Sequence, residues 1–161
     1  MGDRTKLQPI LKLLDAAIKT DSGYYEAWNN KLSLLGQLDQ FENEYKSLKT
    51  MTRLFPGTED VQFNLGILEY KTNRSKDAIA TFTGLLNHYN MLLEKNKNNG
   101  NTRGLLYYKG IVLILLNRES EGKAILTNLF TSENNQYTKS QIGFYVNSSR
   151  QEIIEDRVPG K

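Results

Sequence analysis

Apolar positions along this chain recur at helical spacing, in short blocks rather than one long run. Residues 7 to 20, LQPILKLLDAAIKT, place Ile10, Leu14, Ala17 and Ile18 three and four positions apart, the steps at which side chains share one face of an α-helix. A second block opens at YEAWNN, with Trp28, Leu32, Leu35, Phe41 and Leu48 as its large apolar residues and Pro56 near its close. A third carries Leu65, Gly66, Tyr70, Ala78, Ile79, Phe82 and Leu86, and a fourth centres on IVLILL at residues 111 to 116. Past residue 131 the pattern thins, and Ile142, Tyr145, Val146, Ile153 and Ile154 point to one or two further helices.

The blocks are themselves periodic. The frame that opens at Tyr25 reopens 34 residues later at Glu59, and NRSKDA at residues 73 to 78 returns as NRESEG at 117 to 122, a shift of 44. Ten residues are therefore inserted, and they fall in MLLEKNKNNGNT at 91 to 102. There MLLEK prolongs a helix, while NKNNGN has the Asn and Gly content of a mobile turn. A 34-residue period with Trp, Leu-Gly, Tyr, Ala, Phe and Pro landmarks marks a repeated helix-turn-helix unit.

On those residues the chain resembles the tetratricopeptide repeat (TPR) family. In repeat 1 (25 to 58), Trp28 stands at the fourth position, Leu32 at the eighth, Leu35 at the eleventh, Phe41 at the seventeenth, Leu48 at the twenty-fourth and Pro56 at the thirty-second. In repeat 2 (59 to 92), Leu65 and Gly66 stand at the seventh and eighth, Tyr70 at the twelfth, Ala78 at the twentieth and Phe82 at the twenty-fourth. Repeat 3 covers 103 to 130, with Gly110 set against Gly66; residues 7 to 20 read as a half-repeat or N-terminal cap, and 131 to 161 as C-terminal capping helices. Asp21-Ser22 departs from the Asp-Pro usual in the family. The resemblance implies a single all-α domain, a right-handed superhelix of stacked antiparallel helix pairs. Close helix approach is expected at Gly66 with Ala78 and at Gly110 with Gly122, because only small side chains permit it. Each pair leaves an apolar face that a neighbour must cover. In repeat 1, Lys31 and Glu44 occupy facing positions that are normally apolar and small. They either form a partly buried ion pair or turn their charges outward along their stems.

The family uses the first helices of its repeats to line a concave groove. Carried over by position, repeat 1 offers Glu26, Asn29, Asn30, Ser33 and Gln37; repeat 2 offers Phe63, Asn64, Ile67, Tyr70 and Lys71; repeat 3 offers Tyr107, Tyr108, Ile111, Ile114 and Leu115. Asn30 and Asn64 share the sixth position, where some family members hold the backbone of an extended peptide; the ladder breaks at Tyr108. The carboxylate clamp of some relatives is not expected. Asn64 matches its middle member, but Asn29 and Ser33 replace a Lys and an Asn, while Gly104 and Tyr108 replace a Lys and an Arg. The apolar row of repeat 3 calls for a cover. Residues 138 to 157 folding back are expected to supply it, with a partner helix or a second copy of the protein as the other occupants. The resemblance thus implies a non-catalytic scaffold for a protein or peptide partner. The alternative is a structural or self-associating segment of a larger repeat protein, its groove filled by its own C-terminal helix.

Composition narrows the field further. At 161 residues, 39% hydrophobic and 24% charged, the chain can bury a core. With no cysteine it has no disulfide, thiolate metal site or Cys nucleophile. His88 is the single histidine, without a triad or metal-ligand spacing around it, and reads as a surface residue. Acidic pairs Glu42 with Glu44, Glu59 with Asp60 and Glu119 with Glu121 read as exposed helix starts, where negative charge suits the helix dipole. No phosphate-binding glycine loop is present, and no cofactor or metal is expected. Net charge is +3, with residues 1 to 60 at 8 basic against 9 acidic and the rest at 13 against 9. That is too mild for nucleic-acid binding to lead, although EKNKNN with Arg103 could meet phosphates and Tyr107 with Tyr108 could stack bases. IVLILL is far shorter than the roughly 20 residues of a membrane span. The N-terminus shows no secretory signal, and Met1-Gly2 reads as a cloning start, so a soluble protein is expected and its compartment stays open between cytoplasmic and, if a signal was removed, periplasmic or extracytoplasmic.

Overall fold

The computed structural model describes residues 4 to 97 and 102 to 156. Among them are nine α-helices and no strand: α1 (Arg4–Thr20), α2 (Tyr25–Gln37), α3 (Phe41–Leu54), α4 (Glu59–Lys71), α5 (Ser75–Lys95), α6 (Arg103–Leu115), α7 (Glu119–Thr131), α8 (Gln136–Asn147) and α9 (Arg150–Asp156). The all-α expectation holds. Helices α2, α4 and α6 start at Tyr25, Glu59 and Arg103, 34 and then 44 residues apart. Helix α5 runs to Lys95, so MLLEK does extend it, while most of the turn expected over 96 to 101 lies outside the described residues.

Three of the bends between helices share one device. Asp39, Asn73 and Asn117 take positive φ values of 56°, 59° and 63°, a left-handed conformation that Asp and Asn tolerate better than other residues with a Cβ. At the end of α2, the Asp39 N–H donates to Gly36 O at 3.1 Å and the Gln40 N–H to Leu35 O at 2.9 Å; at the end of α6, Asn117 and Arg118 donate likewise to Ile114 O at 2.9 Å and Leu113 O at 2.8 Å. These are Schellman closures, which satisfy carbonyls that the helix end would otherwise strand. Acidic residues in the first turns of α2, α3, α4, α5 and α7 complement the positive end of each helix. Asn135 caps α8 by accepting from the Thr138 N–H at 3.0 Å.

The described residues divide into two compact units, one ending at Asn73 and the other running from Arg74 to the last described residue, Asp156. In the first, α1 packs on α2, α2 on α3 and α3 on α4. Trp28, Leu32, Leu48, Met51, Val61, Leu65 and Leu68 form its buried cluster, with Ile18, Tyr25, Tyr45 and Phe55 packed around it. Each such side chain contributes about 1.5 to 3 kcal/mol by leaving water. The Trp28 indole N–H is satisfied by Ser22 O at 2.9 Å.

In the second unit, α5, α6, α7 and α8 pack in sequence order and α9 returns to α6. The expected close approach of Gly110 and Gly122 is present: a Cβ at Gly110 would lie 2.7 Å from Leu126 Cγ, and one at Gly122 would run into the Gly110 carbonyl oxygen and sit 2.7 Å from Ile114 Cγ1. Gly66 and Ala78 are both buried. Residues Ile111 to Leu115 are wholly interior, with Phe82, Leu85, Tyr89, Leu126 and Ile153.

Candidate partner-binding surface

Within the first unit, α2 and α4 each combine a buried apolar face with exposed amides. On α2, Ala27, Trp28, Leu32 and Leu35 are buried, which leaves Asn29 and Asn30 exposed and Ser33 half-buried. Ser33 Oγ accepts from Gln37 Nε2 at 3.3 Å. Helix α4 is apolar on nearly every side, with Val61, Phe63, Leu65, Ile67 and Leu68 all buried, and Asn64 stands out as its exposed residue in that stretch. Tyr70 and Lys71 are half-buried. The side-chain amides of Asn29, Asn30 and Asn64 make no hydrogen bond among the described residues. Asn43, Asn96 and Asn147 instead donate to nearby oxygens at 2.8 Å.

Two charged positions differ from expectation. Lys31 pairs with Asp15 of α1 at 2.7 Å and lies 5.5 Å from the Trp28 ring centre, so it is not the partner of Glu44. Glu44 is not at an exposed helix start either: it is only 1% exposed, and its Oε2 has no hydrogen-bond partner. Removal from water raises its pKa from 4.5 to about 7, a rise that the nearby Lys71 charge partly offsets.

In the second unit, the candidates on α6 are largely occupied by the chain itself. Ile111 is fully buried, as are Ile114 and Leu115. Phe63 and Ile67 in the first unit are likewise interior, so these residues fill cores rather than face a groove. Tyr108 stacks on Tyr89 with ring centres 6.2 Å apart, Tyr107 meets Tyr108 edge-on at 5.2 Å and Tyr145 edge-on at 5.7 Å, and Tyr145 meets Phe144 at 5.0 Å. Five rings from α5, α6 and α8 thus form one contiguous run, in the offset and edge-to-face geometries that aromatic quadrupoles favour. Arg150 Nε donates to Leu115 O at 2.8 Å. Within the second unit, α8 thus reaches α6 at Tyr107 and α9 reaches it at Leu115.

Arg103 is tied into the fold rather than held out toward phosphates. Its guanidinium donates to Ser132 Oγ at 3.0 Å, Leu129 O at 3.3 Å and Glu133 Oε2 at 3.0 Å. The Asn135 backbone N–H, and then Arg103, hold the Glu133 carboxyl below its usual pKa. Beside this pair lies a cavity of about 200 Å³ lined by Gly104, Tyr107, Leu129, Thr138, Gln141 and Ile142. It is the size of one large side chain rather than of a cofactor. His88 is half-buried on α5 beside Tyr89. Among the described residues no group of His, Asp and Glu could hold a metal ion, and no helix is long and apolar enough to cross a membrane.

The ring run was half visible in the sequence. Tyr107 and Tyr108 stood out there, but Tyr89 and Tyr145 join them only through tertiary packing. The cavity residues Glu133, Thr138 and Gln141 carried no signal, since they fall where the period fades. Comparisons with protein-family profiles, with curated proteins and with solved structures gave no match.

Proposed function

We propose that this protein is a non-catalytic, tetratricopeptide-like module that binds an extended peptide or protein segment on the exposed faces of α2 and α4. The observation that carries this reading is the trio of unengaged amides, Asn29, Asn30 and Asn64, on helices whose other faces are sunk in one core. A primary amide donates and accepts at once, so it can grip peptide backbone whatever the side chains are. Asn30 and Asn64 recur 34 residues apart, at the same place in successive frames. Ser33 lies one helical turn from Asn30 on the same helix.

Selection from a random peptide library, followed by calorimetric titration of the winners, tests the proposal. Asn30→Ala and Asn64→Ala should each weaken binding about three- to tenfold, since one hydrogen bond contributes about 1 kcal/mol net. Peptides that bind both variants as tightly as the parent would sink the assignment.

A second reading applies to α6. Tyr107 and Ile111 are covered by α8 and by the core, and Tyr108 is stacked on Tyr89, which favours a structural role for this helix. Partner binding then rests on α2 and α4, and α6 anchors the C-terminal helices.

A further inference from the structure

The cavity of about 200 Å³ between α6, α7 and α8 is walled by Tyr107, Leu129 and Ile142. Leu129 and Ile142 are buried, whereas Gly104 and Gln141 of the same lining are exposed, which puts the mouth on their side. Protein interiors leave few voids larger than a water molecule. This one exceeds the roughly 150 Å³ of an engineered apolar cavity that takes up benzene. Gly104 helps to keep it free. At Gly110 and Gly122 a Cβ would collide, and Gly57 has a φ of +86°, but a Cβ at Gly104 would meet no atom within 4 Å. Glycine weakens a helix relative to alanine. Neither crowding nor backbone conformation calls for it here; its effect is to leave the cavity wall bare. Gly84, equally uncrowded, is not part of this lining.

The polar part of the lining sets the chemistry. Arg103 and Glu133 stand there as a fixed pair at 3.0 Å, with Arg103 also on Ser132 Oγ and Leu129 O, and Glu133 Oε1 accepting from the Asn135 N–H at 2.8 Å. Their charges cancel, so they offer an ion no net attraction, and an ion would lose its water on entering an apolar space. The remaining polar groups are neutral. The Gln141 amide makes no hydrogen bond among the described residues, and Thr138 Oγ1 has only a 3.4 Å contact with Asn135 Oδ1. An amide both donates and accepts, and the hydroxyl oxygen keeps its acceptor capacity. Apolar walls with a few neutral hydrogen-bonding groups suit a ring that carries one hydroxyl. We propose that this cavity binds one uncharged phenolic ring, as a free small molecule or as the tyrosyl side chain of a partner. The proposal does not rest on peptide binding by α2 and α4, and its failure would leave that reading untouched.

Titration of the isotope-labelled full chain with p-cresol, followed by heteronuclear NMR, tests this. Saturable shifts are expected at Gly104, Leu129, Gln141 and Ile142, with a Kd of about 0.1 to 1 mM for so small a ligand. Benzoate, an anion of similar size, should bind at least about tenfold more weakly. Gly104→Leu and Thr138→Leu each put a side chain into the space and should weaken p-cresol about tenfold or more, with circular dichroism unchanged. N-acetyltyrosinamide separates the two sources. Binding as tight as that of p-cresol identifies a partner's tyrosyl side chain, and binding about tenfold weaker or less identifies a free phenol. The absence of saturable shifts at about 5 mM p-cresol overturns the proposal. So do shifts that persist in a filling variant that keeps the parent's circular dichroism, and so does benzoate binding as tightly as p-cresol.

Discussion

At the scale of single residues, Glu44 sets a pH dependence of unusual sign for a carboxylate. Its pKa in the fold, about 7, lies above the ordinary 4.5, so folding takes up a proton between those values. The stability it confers is full below about 4.5 and is lost as pH rises through about 7. Glu133 and Glu152 act oppositely: both are held below the usual value, and their contribution is lost as pH falls. Urea denaturation of Glu44→Gln should therefore show a gain of about 1 to 2 kcal/mol over the parent at pH 8 and almost none at pH 5, since only the ionised side chain holds a charge removed from water. An equal effect at both pH values would mean the group does not titrate there. The glycines offer a second contrast. Gly122→Ala should cost about 2 kcal/mol or more, because its methyl meets the Gly110 carbonyl and Ile114. Gly84→Ala, with nothing within 4 Å, should stabilise by about 0.5 to 1 kcal/mol. Thermal melts of the two variants check both signs. The Gly110 and Gly122 contact was legible because two small residues share a register across a helix hairpin. The fate of Lys31 and Glu44 was not, because a pair of long side chains chooses among partners that only helix rotation decides. Asp15, one helix earlier, captures Lys31, and Glu44 is left to Lys71.

At the scale of elements, the helix starts at Tyr25, Glu59 and Arg103 follow directly from the 34- and 44-residue shifts, and the long α5 follows from MLLEK. Two of the left-handed bends fall on the first residue of the repeated stretches NRSKDA and NRESEG. A repeat of Asn-Arg at matching sites was the available signal, since Asn is a residue that ends a helix in this conformation. Asn117→Gly should leave stability within about 0.5 kcal/mol of the parent, whereas Asn117→Val should cost about 1 to 2 kcal/mol, because a β-branched residue strains at positive φ. Chemical denaturation of the pair separates backbone strain from the loss of the amide itself. Helices α8 and α9 were poorly legible for a physical reason. In α8 only Ile142 and Tyr145 are buried, while Tyr137 and Phe144 face outward, so the apolar pattern runs round the helix and dilutes its own period.

At the scale of the whole molecule, the two units each carry their own core, and the C-terminal helices belong to the second. Removing residues after Glu133 takes away the Tyr145 ring that covers Tyr107 and the Arg150 bond to Leu115 O. Amide hydrogen exchange over residues 104 to 116 should then quicken about tenfold or more in the truncated chain, in line with local opening that tracks buried contacts. Unchanged exchange would mean that α6 is held by α5 and α7 alone. The candidate partner surface was legible in part. Asn29, Asn30 and Asn64 are exposed as expected, whereas Phe63, Ile67 and Ile111 turn inward, because a position in a repeat specifies a helix face but not what the neighbouring helix places against it.

The return of α9 to α6 has a consequence in time. Most packing in the second unit joins helices adjacent in sequence, which form quickly because little chain entropy is lost in closing them. The Arg150 contact with Leu115 spans 35 residues, so closing it costs more chain entropy than closing any contact between neighbouring helices. It should therefore close late in refolding. Arg150→Ala should accordingly speed unfolding several-fold in stopped-flow experiments while leaving the refolding rate unchanged, as expected of a contact absent from the transition state.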